Sequence, residues 1–141
     1  MSEAKRVRVE EFAAAALALR GARFQHLGRG PAGVDCIGIG FAAAIACGLN
    51  PAPFVGYAKT PDSDVLLAAV AERCEPREWS EWEKIGRLVV LRQAPTGPPR
   101  HFAVSTGDGW AIHCETRVRM LWLRERQELV HSVWLVHGVE V

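Results

Sequence analysis

The chain has 141 residues, with 17 lysines and arginines against 16 aspartates and glutamates, so its formal net charge is +1 at pH 7. This length fits one domain, 1–141, that buries roughly two thirds of the surface of the unfolded chain. The balanced charge argues against nucleic acid as a partner. Because no apolar run reaches about 18 residues, we expect no membrane insertion.

The N-terminal residues and the cysteines indicate the compartment. The first residues lead into an acidic helical pattern without the apolar core of a signal peptide, so we expect synthesis in the cytoplasm. The four cysteines show no CxxC spacing and lie in dissimilar contexts, which favours free thiols over a disulfide framework or a zinc knuckle. These cysteines are Cys36, Cys47, Cys74 and Cys114.

Helical patterns come first along the chain. Early glutamates, an alanine-rich run and a glycine stop predict a helix over 8–20. After a glycine-rich loop, Asp35 is a good N-cap for a second helix, which Cys36 opens and small apolar residues continue. A polar start and an apolar face predict a third helix, from 61 or 62 to 73.

Strand patterns follow. An apolar run bounded by glycine and proline predicts a strand over 87–93. Two apolar runs, 101–106 and 110–114, flank a Gly-Asp-Gly sequence, which is a strong hairpin signal. Residues 117–123 fit a strand or a short helix, and 129–136 fit a strand. Helices followed by an antiparallel meander predict an α+β fold in which the helices cover the sheet.

The chemistry of the chain centres on one cysteine and two histidines. Unpaired N–H groups and the helix dipole favour an anion at a helix start, so Cys36 is expected to have a lowered pKa. If the hairpin turn is centred on Asp108, His101 and His113 lie about opposite each other on neighbouring strands. They then supply a base and a group that orients it, as acyl transfer by a thiol requires.

Simpler interpretations of the same residues exist. Cys36 also fits a small buried residue that happens to begin a helix. Each histidine alone fits an ordinary strand residue. A zinc site made of Cys36, His101 and His113 is a further alternative on ligand type.

The motifs resemble those of NlpC-type bacterial cell-wall cysteine peptidases. The resemblance covers roughly residues 8–115 and rests on Asp35-Cys36-x-Gly38 and on His101-Phe102-Ala103-Val104-x-x-Gly107-Asp108-Gly109-x-x-Ile112-His113. It implies a papain-like α+β fold with N-terminal helices packed on an antiparallel sheet, and it implies neither cofactor nor metal. It further implies Cys36 as nucleophile, His101 as general base and acid, and His113 as orienting residue. Such enzymes cut the bond between D-glutamate and a diamino acid in peptidoglycan stem peptides.

Two positions depart from the usual pattern of this family. Phe24 stands where the family usually has a tyrosine whose hydroxyl helps the oxyanion, so the oxyanion here would depend on the Cys36 backbone N–H. Arg87 stands where a surface carboxylate is common, so a surface cation and different substrate contacts are expected there. The residues expected at the substrate cleft are Phe24, His26, Asp35 and Gly38.

The setting of the protein is also suggested by the resemblance. The lack of a leader, the short chain and Gly28-Arg29-Gly30 before the cysteine are similar to members carried on phage tails or gene-transfer particles. The expected partners are therefore peptidoglycan stem peptides and phage-tail or tail-like particle proteins, with action at the cell wall. Two alternatives stay open: a thiol acyltransferase or deamidating enzyme on the same triad, and a non-hydrolytic tail-tip or wall-binding module.

Overall fold

The computed structural model describes residues 5–141, which form three α-helices, ten β-strands and two 3-10 segments, Trp79–Glu83 and Leu123–Leu129. In this part of the chain no helix is long and apolar enough to cross a membrane. The helices are α1 (Val9–Leu17), α2 (Gly38–Ala46) and α3 (Ser63–Arg73). The strands are β1 (Val7–Arg8), β2 (Arg29–Gly30), β3 (Gly33–Val34), β4 (Cys74–Arg77), β5 (Leu88–Arg92), β6 (Pro99–Gly107), β7 (Trp110–Cys114), β8 (Val118–Trp122), β9 (Val130–Val136) and β10 (Val139–Glu140).

A six-stranded antiparallel sheet forms the centre of the fold. Its strand order is β4-β9-β5-β6-β7-β8, so β6 lies in the interior of the sheet and β8 at an edge. Residues 117–123, which fit a strand or a short helix by sequence, contain strand β8. Two short ladders lie outside this sheet, the parallel pair β1–β10 and the antiparallel pair β2–β3. The α+β class predicted from the sequence is confirmed.

Both faces of the sheet are covered. On one face α1, α2 and α3 each contact β6, and Phe12, Ile39 and Leu66, one from each helix, are fully buried there. On the other face the two 3-10 segments contribute the buried side chains of Trp82 and Leu123 to a second core cluster. Because neither face of β5 meets solvent, its first four residues are all buried and apolar rather than alternating.

The three predicted helices are present, but the second one begins later than expected. Cys36 lies in the turn before α2, whose first residue is Gly38. Asp35 nevertheless acts as a cap, because its Oδ1 accepts the Gly38 N–H at 2.6 Å. In α3, Asp62 Oδ1 accepts two backbone N–H groups of the first turn at 2.9 and 3.3 Å.

The predicted hairpin is β6–β7, with a different register from the one expected. The loop is Asp108-Gly109, and both residues have positive φ angles, 57° and 88°. An irregularity before Gly107 shifts the ladder, so that Ala103 pairs with His113. His101 therefore lies two residues along β6 from Ala103, the residue that is directly opposite His113. Diagonal neighbours on antiparallel strands still lie within reach of large side chains.

Candidate active site

Cys36 is held against the start of strand β6. The Phe102 N–H donates to the Cys36 carbonyl at 3.3 Å, and the Cys36 thiol donates to the Arg100 carbonyl at 3.8 Å. His101 lies between these two residues in the chain. The turn before α2 and the first residues of β6 thus bring the predicted nucleophile next to the predicted base.

The two predicted histidines contact each other directly. His101 Nε2 lies 2.8 Å from His113 Nδ1, and the rings meet edge to face with centroids 5.0 Å apart. His113 is only 4% exposed, so the protein fixes its position. This hydrogen bond occupies one nitrogen of His101 and leaves Nδ1 for reaction with a thiol.

The thiol is not yet bonded to the imidazole in this structure. Among residues 5–141 the hydrogen bond of the Cys36 thiol is to Arg100, and none joins it to His101. A hydrogen bond between thiol and imidazole must therefore form before proton transfer. Catalytic hydrogen bonds commonly tighten only when substrate is bound.

The charge states differ from the expectation of a lowered cysteine pKa. Burial, reinforced by the nearby Asp35 carboxylate and by Cys114, raises the pKa of the Cys36 thiol to about 11. Burial, together with the neighbouring His113, lowers the pKa of His101 to about 4. Loss of hydration outweighs any effect of the helix start. At neutral pH the resting pair is therefore a thiol and a neutral imidazole.

Asp35 lies behind the cysteine rather than at an open surface. It is 2% exposed, and both carboxylate oxygens are bonded by protein donors. These donors are the Leu27 N–H at 2.8 Å, the Gly38 N–H at 2.6 Å, the Tyr57 hydroxyl at 2.6 Å and Arg29 Nη1 at 3.2 Å. The carboxylate thus joins two loops to the turn that carries Cys36.

Arg29 and Tyr57 complete this network, and the sequence did not assign either residue a role in the site. Arg29 Nη2 donates to the Tyr57 hydroxyl at 2.6 Å and to the Phe54 carbonyl at 2.9 Å. The guanidinium also lies 5.0 Å from the centre of the Phe41 ring. Tyr57 is the one tyrosine of the chain, which is a weak signal for a special role. The hydrogen bond from Tyr57 to Asp35 joins residues that are 22 positions apart, so no local sequence pattern predicts it.

The other expected cleft residues contact this network or the strand beside it. His26 Nδ1 lies 3.9 Å from Asp35 Oδ2, and the His26 ring meets the Tyr57 ring edge-on at 5.6 Å. A Cβ atom at Gly38 would lie 2.7 Å from Arg29 Nη1, so only glycine fits there. Phe24 is 37% exposed and bridges to Val34, two residues before the cysteine.

Arg87 is not the surface cation that the sequence suggested. It is 5% exposed, and its Nε lies 2.9 Å from Glu81 Oε1. Arg77 approaches the same carboxylate at 3.1 Å. Burial favours the neutral acid, but the hydrogen bonds from Arg77 and Arg87 hold the pKa of Glu81 below its usual value. Arg87 is therefore part of a buried ion pair with Glu81.

The remaining cysteines take other positions. All four cysteines are free thiols, and Cys114 is buried with its thiol directed at the Val34 carbonyl, 3.3 Å away. His113, its neighbour on β7, pairs with His101 instead. Within residues 5–141 no three His, Cys, Asp or Glu side chains are grouped so that they could hold a metal ion.

A cysteine on the turn before a helix, facing a histidine pair on an antiparallel sheet, is the arrangement of a papain-like fold. No family model and no curated protein matches the sequence. Solved structures do match. NlpC1 from Trichomonas vaginalis has 16% identity and a TM-score of 0.65 over 91% of this chain and 44% of its own. NlpC2 from the same organism has 18% identity and a TM-score of 0.60 over 95% of this chain and 51% of its own.

These comparisons define the fold. The chain has an NlpC-type, papain-like α+β fold, as the sequence motifs predicted. It spans about half the length of the two Trichomonas structures.

Proposed function

We propose that the protein is a cysteine peptidase that hydrolyses the bond between D-glutamate and a diamino acid in peptidoglycan stem peptides. The observation that carries this proposal is the His101–His113 hydrogen bond at 2.8 Å, placed beside the thiol of Cys36. A nucleophile, a base and a group that orients the base are the parts that acyl transfer needs. The NlpC-type fold supports the choice of a cell-wall peptide as substrate.

The resting charges determine the first step. Because thiol and imidazole are both neutral, His101 Nδ1 takes the thiol proton as the Cys36 sulfur attacks the amide carbonyl. His113 holds the other nitrogen of His101 and supports the imidazolium that forms. We assign the Cys36 backbone N–H to the oxyanion, since Phe24 has no hydroxyl.

The remaining steps return the site to its starting state. His101 gives its proton to the leaving amine as the C–N bond breaks, which leaves a thioester on Cys36. Water then loses a proton to His101 and attacks the thioester carbonyl. When the C–S bond breaks, that proton returns to the sulfur. The products are a free carboxylic acid and an amine.

The test is incubation of purified protein with muropeptides, followed by mass spectrometry. We expect two fragments whose summed mass exceeds that of the substrate by one water, with cleavage after D-glutamate. Cys36→Ala should give no product, whereas Cys47→Ala, a matched control at the end of α2, should cleave normally. Intact muropeptides after incubation with the wild-type protein would contradict the proposal.

The same assay separates the alternatives. An acyltransferase would transfer the glutamyl acyl group to an added amine rather than to water, and its product would carry the mass of that amine. A wall-binding module would bind muropeptides without changing their mass. Delivery to the wall by a phage tail or tail-like particle stays a prediction from the sequence.

A further inference from the structure

An exposed ion pair lies beside the two histidines of the active site. Arg119 Nη2 donates to Glu115 Oε2 at 2.9 Å. Arg119 is on the edge strand β8, directly opposite His113 on β7. Glu115 follows the last residue of β7 and lies two residues beyond His113. Neither charged residue has a role in the proposed reaction steps.

The strand register places both histidines and both charged residues on one face of the sheet. Ala103 on β6 pairs with His113 on β7, and the same register continued by two residues brings Glu115 level with His101. Residues that are directly opposite, or two apart on one strand, share a face. The Glu115–Arg119 bond therefore crosses between β7 and β8 on the same face as the His101–His113 bond between β6 and β7.

Glu115 is ionised, and its charge reaches both rings. The hydrogen bond from Arg119 holds the pKa of Glu115 below its usual value, so the group is a carboxylate at neutral pH. Burial lowers the pKa of both histidines, and the Glu115 carboxylate opposes this effect at each ring. Arg119 lowers the pKa of His113 further, and His113 lowers that of His101. The Cys36 thiol, on the turn before α2, is neutral at this pH.

The first step of the proposed reaction places a positive charge on this face. The thiol proton moves from the Cys36 sulfur to His101 Nδ1 while the C–S bond to the substrate carbonyl forms, so the neutral histidine pair becomes cationic. Burial of the pair opposes this charge. A carboxylate beside the two rings offsets part of that opposition, and the charge leaves again when His101 protonates the departing amine.

We propose that Glu115 is a positioning residue that acts through the histidine pair: its carboxylate supports the positive charge that His101 takes up from the thiol. Arg119 holds this carboxylate in place. The inference rests on the proposed function. The side chains of Glu115 and Arg119 are 55% and 60% exposed, so solvent screens the effect and keeps it modest. The same exposure allows either residue to be replaced without opening a cavity in the core.

The experiment measures kcat/KM for a muropeptide across the acidic pH range. The acid limb of this profile reports the protonation of the base in the free enzyme, with an apparent pKa that belongs to the histidine pair. Glu115→Gln should move the limb to lower pH by roughly 0.2–0.7 unit, as expected for an exposed charge, and by less in concentrated salt. Glu83→Gln removes a carboxylate from a comparable exposed ion pair with Arg124 at 3.0 Å and should leave the limb unchanged.

A charge swap separates an electrostatic role from a structural one. Glu115→Arg/Arg119→Glu keeps an ion pair between the two segments but places the cation level with His101. We expect the acid limb of this double variant to lie no higher in pH than that of Glu115→Gln. A swap that moves the limb back toward the wild-type pH, or an unchanged limb in Glu115→Gln, overturns the role of Glu115 and leaves the peptidase intact.

A titration without substrate separates failure of this inference from failure of the proposed function. NMR of the histidine Cε1–H resonances gives the pKa of His101 directly, and we expect this pKa to fall in Glu115→Gln but not in Glu83→Gln. If it falls while muropeptides stay intact, Glu115 acts on the histidine pair and the proposed peptidase activity is wrong. If it does not fall, the role of Glu115 is overturned whether or not the protein cleaves muropeptides.

Discussion

Removal of the Asp35 carboxylate should strongly destabilise the fold. The group is 2% exposed, accepts two backbone N–H groups and one hydroxyl, and forms an ion pair with Arg29 at 3.2 Å. Loss of one partner from a buried ion pair costs about 3–5 kcal/mol. We therefore expect Asp35→Ala to lower the free energy of unfolding by about 3–5 kcal/mol, a large part of the roughly 5–15 kcal/mol typical of a domain.

Asp62 provides a matched control. It also caps a helix through two backbone N–H groups, but it is exposed and forms no ion pair among residues 5–141. Loss of such a cap costs about 1 kcal/mol, so Asp62→Ala should be clearly milder than Asp35→Ala. Asp35→Asn removes the charge but keeps the shape of the side chain. Its amide nitrogen can only donate, so it must face a group that now donates to the carboxylate, and one hydrogen bond is lost.

The assay is equilibrium unfolding in urea, followed by tryptophan fluorescence, since the chain has five tryptophans. The free energy of unfolding is obtained from the midpoint and the slope of the transition. If Asp35→Ala and Asp62→Ala lose the same stability, or if Asp35→Asn matches the wild type, the reasoning from burial and ion pairing is wrong.

Three further outcomes are expected. His113→Ala should reduce turnover on the order of 10²-fold or more. His113→Gln should reduce turnover clearly less, because the glutamine amide can still orient His101. Equal losses of turnover in the two variants would show that His113 is an ordinary strand residue. Alkylation of Cys36 by iodoacetamide, measured for each thiol by mass spectrometry, should still accelerate above about pH 9, since burial raises the pKa of Cys36 to about 11. A plateau at neutral pH would indicate a resting thiolate instead. Burial lowers the pKa of His101 to about 4, below its ordinary value of about 6.5. Between these two pH values the unfolded chain binds more protons at this residue than the folded chain does. The free energy of unfolding should therefore fall as the pH falls, by up to about 1.4 kcal/mol per pH unit. His101→Asn should flatten this slope, and an unchanged slope would contradict the assignment.

Much of the fold could be predicted because its signals are local. The glutamates, alanines and glycine of the first helix lie within one segment, as do the Gly-Asp-Gly turn and the apolar runs of β6 and β7. The proximity of His101 and His113 followed from this hairpin alone. The expected direct opposition of His101 and His113 was wrong, because a turn centred on Asp108 already places Ala103 opposite His113, which is the register that the structure has.

The parts of the site that the sequence did not reveal depend on distant segments. Arg87 was expected at the surface, but it is buried and paired with Glu81 of the first 3-10 segment. The pKa of Cys36 was expected to be low, but packing around the turn removes the thiol from water. Arg29 and Tyr57 reach Asp35 from two separate loops.

The contacts of Tyr57 bear on the oxyanion of the proposed mechanism. The family to which the sequence motifs point usually has a tyrosine hydroxyl for this purpose, and Phe24 stands in its place. The one tyrosine of the chain, Tyr57, donates its hydroxyl proton to Asp35 at 2.6 Å while it accepts from Arg29 at 2.6 Å. A hydroxyl has one proton, so Tyr57 cannot also donate to an oxyanion without breaking the bond to Asp35. In the mechanism that we propose, the oxyanion is therefore assigned to the Cys36 backbone N–H, on the turn that Asp35 caps through the Gly38 N–H.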